Sequence, residues 1–239
     1  MFEKSNAVAI LIDADNTEAR KMELILKEVS TRGRIILKRA YGNWSKDILS
    51  PWEEVLKKNA IKAVQQYDYV AKKNATDMAL VIDAMDLLST GLYGTFVLVS
   101  SDSDFTPLAI KLREAGAIVI GAGKSNTPQP FKNSCDEFIN TENLIMKKEK
   151  EASSLIPTEI SDDIDALIHD AWNRYKDDDG WANAASVGNY LIRIKPDFDP
   201  RTYGFNKLSE LIKSNTSIYK SKMEHNPGGV GIFLFKCLN

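Results

Sequence analysis

The stretch LVSSDSDFTPL, residues 98–108, sets two carboxylates, Asp102 and Asp104, two positions apart just after an apolar run, with no basic residue inside it. A second apolar run, AVAILID, ends in Asp13 and is followed by Asn16, and Asp77 lies near the start of a helical stretch. Unpaired carboxylates brought close together repel one another and hold their protons more tightly unless a cation neutralises them. A hard divalent ion, Mg2+ or Mn2+, suits such a set through carboxylate oxygens and retained waters. Both histidines, His169 and His225, lie far downstream. Without an imidazole base nearby, the chemistry that fits is metal-assisted attack of water on a phosphodiester. Each residue also has a structural reading. Asp104 could cap the helix FTPLAIKL, Asp77 could favour the first turn of its helix, and Asn16 could cap a helix or orient Asp13. Asp83 and Asp86 read as surface charges.

The elements that must position these groups alternate. AVAILID (7–13), RIILKRAYGNW (34–44), IKAVQQYDYV (61–70), TFVLVS (95–100) and AIVIG (117–121) read as strands. Between them run helices: one capped by Thr17 with Met22, Leu24, Ile25, Leu26 and Val29 inward, one opened by Ser50-Pro51, one with Met78, Val81, Met85 and Leu88 at helical spacing, and FTPLAIKLREAG (105–116). Strands separated by helices predict a doubly wound parallel sheet, and such sheets bind ligands beyond the carboxyl ends of their strands. The ends of strands one and four are neighbours at the switch point. Asp13, Asp102 and Asp104 should therefore converge, whereas independent caps have no reason to gather at one end of one sheet.

Composition sets outer bounds. The 239 residues and their 44% hydrophobic content suffice for one medium and one small domain. With 31 Lys and Arg against 33 Asp and Glu, any nucleic-acid contact must rest on local patches. Two cysteines, Cys135 and Cys237, and two histidines exclude a Cys/His zinc module and a disulfide framework. The N-terminus lacks signal-peptide features and no apolar run could span a membrane, so a cytoplasmic protein without membrane partners is expected.

Two motifs invite other readings. GAGKS (121–125) resembles a phosphate loop, but G-x-x-x-x-G-K-[ST] needs glycine where Ile118 stands, and Pro128 and Pro130 oppose the required helix. DADNT (13–17) fits the D-x-D-x-T of haloacid-dehalogenase-like phosphatases, with Asp13 as nucleophile and Asp15 as general acid. Against it, Glu18 enters an amphipathic helix at once, with no evident distal lysine and acidic pair.

Together, IDADN (12–16), YGNW (41–44), KNATDMALVIDAMDLL (73–88), VSSDSDFTPLA (99–109) and REAGAIVIGAGKSNTPQPFKNSCDEFI (113–139) resemble the NYN domain, a PIN-like nuclease fold. The likeness runs from residue 7 to about 145. It implies a metal-dependent ribonuclease, expected to cut inside the strand, with Asp13, Asp77, Asp102 and Asp104 as metal ligands and Asn16 beside them. Asp83 matches a further acidic position of unassigned role, and Ser101 stands where many relatives have glycine. A non-catalytic RNA-binding adaptor is the alternative, and a phosphomonoesterase of the dehalogenase type the third reading.

The second part differs in composition. MKKEKEASSLIPTEIS within 146–161 reads as a linker, and 162–239 as three helices, DDIDALIHDAWNRY, ANAASVGNYL and PRTYGFNKLSELIK, with a hairpin turning at Pro227-Gly228-Gly229. This smaller α+β unit is similar to the OST-HTH or LOTUS domain, a winged-helix RNA-binding module. The predicted organisation is thus an α/β PIN-like domain at 1–145, the linker, and a winged helix at 162–239.

RNA contacts are sought where cations and rings coincide. Arg39, Tyr41, Trp44 and Lys46 flank the end of strand two, and Lys72 and Lys73 precede Asp77, an arrangement that suits phosphates on cations and a base on a ring. In the second domain, residues 162–179 hold seven Asp and two Lys or Arg, whereas 193–239 hold eight Lys or Arg against four acids, which points to a basic face. Arg201, Lys207, Lys213, Lys220 and Lys222 are its candidate RNA-binding residues, while Tyr203 and Phe205 read as core. Expected partners are RNA, single-stranded or structured, with a homodimer allowed.

Overall fold

The computed structural model describes residues 6–69, 74–144, 162–225 and 231–238, in two compact units, Met1–Lys147 and Lys148–Asn239. The expected linker, the Pro-Gly-Gly turn, Lys72 and Lys73 fall outside the described residues.

In the first unit, β1 (Ala7–Asp13), β2 (Arg34–Gly42), β3 (Lys62–Gln65), β4 (Thr95–Val99), β5 (Ile118–Gly123) and β6 (Glu137–Asn140) form one sheet in the order β3-β2-β1-β4-β5-β6. Every pairing is parallel, with Asp13 opposite Tyr41 and Ile12 opposite both Ala40 and Val99. The chain builds outward through β2 and β3, crosses back to β4, then builds the other way, so β1 and β4 meet at the switch point. β1 is buried along its whole length, as a continuous apolar run covered on both faces should be.

Helices cover both faces. On one, α1 (Met22–Val29) buries Met22, Ile25 and Val29, and α2 (Trp52–Lys58) buries Trp52, against Val8, Ile10 and Ile12. On the other, α3 (Ala75–Ser89), α4 (Thr106–Glu114) and α5 (Gln129–Ser134) cover Ala9, Leu11, Phe96 and Leu98. α5 and β6 go beyond the five-strand reading. They are short, and Pro130, which argued against a helix, sits in the first turn of α5, where its missing N–H costs nothing.

The helical stripe expected on α3 is rotated. The buried residues are Thr76, Leu80, Ala84 and Leu87, with Val81, Met85 and Leu88 partly covered and Met78 56% exposed. A one-residue offset turns a helix by about 100°. α3 is apolar on most sides, so spacing alone does not choose its inward face, and the true rotation brings Asp77 and Asp83 to the flanks of the buried row.

In the second unit, α6 (Asp162–Tyr175), α7 (Ala184–Ile194) and α8 (Leu208–Ser214) pack with an antiparallel sheet of β7 (Ala182–Asn183), β8 (Tyr219–His225) and β9 (Gly231–Cys237), ordered β7-β9-β8. Ile168, Ala171, Val187, Leu191, Leu211 and Phe235 centre its core. The expected third helix is split: Gly204 sits at φ +84°, ending a short turn at Pro200–Tyr203 before α8 begins. Tyr203 and Phe205 pack against the core as expected.

Candidate active site

The carboxyl ends of β1 and β4 hold the acidic groups. Asp13, last residue of β1, is fully buried. Its Oδ2 accepts from Ser100 Oγ at 2.7 Å and Asn16 Nδ2 at 2.8 Å, while Oδ1 accepts a long contact, 3.3 Å, from Asn16 N. Burial pushes this carboxyl above its usual range, and the hydrogen bonds from Ser100 and Asn16 partly offset it. Ser100 works in two directions, since its Oγ also accepts from Asp102 N at 3.0 Å. One hydroxyl therefore couples Asp13 to the loop carrying the acidic pair. Thr17, expected as a helix cap, instead donates Oγ1 to Val99 O at 3.1 Å and ties the loop after β1 to the end of β4.

The pair divides its work differently from the sequence reading. Asp102, not Asp104, is the cap: its Oδ1 accepts from Asp104 N at 2.9 Å and starts the turn Ser103–Phe105 that leads into α4. Asp104 is exposed, and its Oδ2 accepts from Asn74 Nδ2 at 3.2 Å. Asn74 precedes α3, so this bond reaches the helix that carries Asp77 in its first turn. Asp77 is half-buried and its carboxyl is pushed up to about 6, first by desolvation and then by Asp13, Asp102, Asp15 and Asp104. Asp13, Asp102, Asp15 and Asp104 thus all act on Asp77; the convergence expected from the topology covers only Asp13, Asp102 and Asp104.

The donor set suits a hard divalent cation: carboxylate oxygens, a nearby amide oxygen, no imidazole or thiolate, and like-charge repulsion on Asp77 that a cation would relieve. Among the described residues, no three His, Cys, Asp or Glu side chains close a protein-only cage. Mg2+ does not need one, because it keeps several waters and takes one or two carboxylates together with substrate phosphate oxygens.

The glycine-rich end of β5 has a steric role here. A Cβ on Gly123 would stand 2.5 Å from Ser100 O, and Ser101 Oγ accepts from Lys124 N at 2.9 Å. GAGKS is the end of β5 pressed against the acidic loop, and the serine in place of glycine at 101 helps hold it there.

The expected RNA contacts at β2 need correction. Tyr41 is fully buried and donates its hydroxyl to Asp83 Oδ2, so it presents no ring to a base. Arg39 Nη1 binds both oxygens of Asp83, 2.6 Å to Oδ2. Asp83 is therefore not a solvated charge: it ties β2 to α3, and burial first, then the bond to Asp83, keeps Tyr41's hydroxyl protonated well beyond its usual range. Trp44 donates Nε1 to Val64 O at 2.9 Å and packs edge-on against Trp52, centroids 6.3 Å apart. It braces the loop after β2 and lines an open groove with Lys46, Asp47, Ser50 and Gln65. Lys46 is exposed, pairs with Asp68 at 2.9 Å, and feels Asp15.

In the second unit, Arg201 is also committed internally, with Nε 2.9 Å from Asp199 Oδ2 and Nη2 2.8 Å from the same atom. Lys222 pairs with Glu224 and lies 4.3 Å from the Trp181 ring centroid. Lys213 lies 5.2 Å from that of Phe233. Lys207 and Lys220 are exposed on α8's N-terminal boundary and on β8.

Sequence reasoning did not find Ser100, Asn74 or the tie through Asp83. Ser100's position directly between the strand and the acidic pair, and Asn74's before the helix carrying Asp77, were the available signals.

A parallel switch-point sheet with carboxylates at the ends of its two central strands defines the first unit as a PIN-like α/β domain, of the nuclease superfamily. The family model for the NYN domain matches residues 7–144, more than half of the chain, and the protein belongs to that family. The model for the OST-HTH/LOTUS domain matches residues 156–230. Comparison with curated proteins finds no match. Among solved structures, a protein of unknown function from Vibrio parahaemolyticus is 16% identical over 59% of this chain and 95% of its own, with a TM-score of 0.46. An uncharacterised protein from Nitrosomonas europaea is 30% identical over 37% of this chain and 83% of its own, with a TM-score of 0.32. Among the described residues no helix is long and apolar enough to cross a membrane.

Proposed function

We propose that the protein is a Mg2+- or Mn2+-dependent ribonuclease that cuts inside RNA strands, with the OST-HTH/LOTUS domain, through Lys207 and Lys220 above all, selecting the RNA. The observation that carries this reading is the gathering of Asp13, Asp102 and Asp104, each held by neutral donors, at the carboxyl ends of β1 and β4, where their charges and that of Asp15 add to desolvation in raising the Asp77 carboxyl. Carboxylates kept only to cap helices do not need to share a field. Asp13, Asp77, Asp102 and Asp104 are the residues proposed to hold the ion, one or two of them directly and the others through its retained waters. When bound, it supplies charge neutralisation at the scissile phosphate and activation of water as nucleophile. Around it, Ser100 and Asn16 fix the orientation of Asp13, Asp102's own cap fixes its loop, and Asn74 steadies Asp104.

Asp15 separates this reading from a phosphomonoesterase. It is exposed, whereas the Asp13 oxygen facing Ser100 and Asn16 is already occupied by two donors, which suits a positioned ligand better than a nucleophile. The test is cleavage of labelled single-stranded and structured RNA with Mn2+, Mg2+ or EDTA by wild type, Asp102→Asn and Asp15→Asn. Asparagine also caps turns well, so Asp102→Asn removes charge while keeping the fold. Metal-dependent cutting retained in Asp15→Asn and lost in Asp102→Asn supports the proposal. RNA binding without cutting by folded wild type turns the reading to the adaptor.

A further inference from the structure

The aromatic pair expected at β2 is buried or braced, yet two other rings stand open one strand further out. Tyr67 and Tyr69 follow β3 at the same carboxyl edge of the sheet and are 62% and 87% exposed. Among the described residues neither ring has an aromatic or cation neighbour, and neither hydroxyl has a hydrogen bond. They are not on a loose tip. Asp68 between them is bound to Lys46 Nζ at 2.9 Å and accepts from Asn43 Nδ2 at 3.2 Å. Gln66 N donates to Gly42 O at 3.1 Å, and Gln65 Nε2 to Asn43 Oδ1 at 3.0 Å. The segment is stitched to the end of β2, whose Tyr41 lies opposite Asp13, and Lys46 links it to the field of Asp15. Two large rings are thus held out into water beside the carboxylate edge.

Electrostatics narrows what could cover them. The neighbourhood of Asp77 is acidic and repels a phosphate backbone, and two lysines of this edge, Lys46 and Lys124, already share their charge with Asp68 and Glu18. A nucleic acid lying here needs attraction that does not depend on charge. Stacking of unpaired bases on tyrosine rings supplies it and tolerates any base, since every base offers a π face. A duplex hides those faces.

Resting on the ribonuclease reading, we infer that Tyr67 and Tyr69 form a stacking platform for single-stranded RNA, and that this platform makes unpaired strands the substrate class. Asp68, through Lys46 and Asn43, is a positioning residue for the two rings.

The test uses the full chain and two readouts. In the first, a single-stranded RNA bearing 4-thiouridine is photo-crosslinked in Ca2+ to slow cleavage, and the attached peptide is identified by mass spectrometry. In the second, KM and kcat for single-stranded RNA cleavage in Mn2+ are compared for wild type, Tyr67→Ala, Tyr69→Ala and the two phenylalanine variants. The expected result is crosslinking within the peptide holding Tyr67 and Tyr69, a KM raised about 5- to 150-fold by each alanine, kcat little changed, and restoration by phenylalanine, which keeps the ring. Cleavage with wild-type KM in both alanine variants and crosslinks elsewhere would overturn the platform while leaving the ribonuclease standing. A wild type that neither binds nor cuts RNA would overturn both.

Discussion

The acidic edge of the first domain and the basic residues of the second are both charge-rich, but they handle charge in opposite ways. In the second domain several of the charges are matched directly: Arg201 with Asp199, Lys222 with Glu224, Arg174 with Asp170. In the first, Asp13, Asp102 and Asp104 are held by neutral donors, a serine hydroxyl, amide groups and a backbone N–H, so their charges survive and act on Asp77. Side chains neutralised by a partner stabilise a fold. Charges oriented without being neutralised are set for a ligand of opposite sign, and this contrast separates the site from the scaffold.

The strongest way to break the comparison is to remove one oriented charge. Asp77→Asn and Asp102→Asn should each lower RNA cleavage by about 10³-fold or more, the rate equivalent of several kcal/mol of lost charge stabilisation at the phosphate. Arg201→Ala, which removes a matched charge, should lower thermal stability and leave the turnover of the folded fraction unchanged. Equal losses of turnover in the two classes would erase the distinction.

Proton and metal linkage sharpens it. Asp13 and Asp77 have carboxyls raised in the folded protein, Asp77 to about 6 against 3.8 unfolded, so the folded state binds more protons in that interval. Stability of the metal-free first domain should therefore be highest below about pH 4 from this source and fall as pH rises to about 6. Above that pH, Mn2+ at a hundred times its Kd should restore about 2.7 kcal/mol. Denaturant melts in EDTA and in Mn2+ across this range check both signs, and Asp77→Asn should flatten both responses.

Smaller effects follow at Ser100 and on the basic face. Ser100→Ala strips a buried hydrogen bond from Asp13 and should cost about 1–3 kcal/mol of stability, read from denaturant midpoints. Lys207→Ala and Lys220→Ala should each reduce the salt dependence of single-strand binding by a slope of about 0.7 if each meets one phosphate. Arg201→Ala should leave that slope alone.

How far the sequence reveals this depends on where each partner lies. Asp13, Asp102 and Asp104 could be placed because each follows an apolar run that must be a strand, and a parallel sheet makes strands one and four neighbours. Ser100's bond to Asp13 spans 87 positions and Asn74's to Asp104 spans 30, so no local pattern announces either. Arg39 and Tyr41 look free in KRAYGNW because Asp83 is more than forty residues away, on a helix whose inward face its own spacing does not fix. Tyr67 and Tyr69 looked like strand residues because the run continues in type past Gln65, where β3 ends.

The most direct test of the central claim is paramagnetic broadening by Mn2+ in the 15N spectrum of the full chain. The account predicts broadening centred on residues 13–16, 77 and 100–104, and its loss in Asp77→Asn. Broadening centred elsewhere, or none at millimolar Mn2+, would contradict a divalent-ion site at these carboxylates.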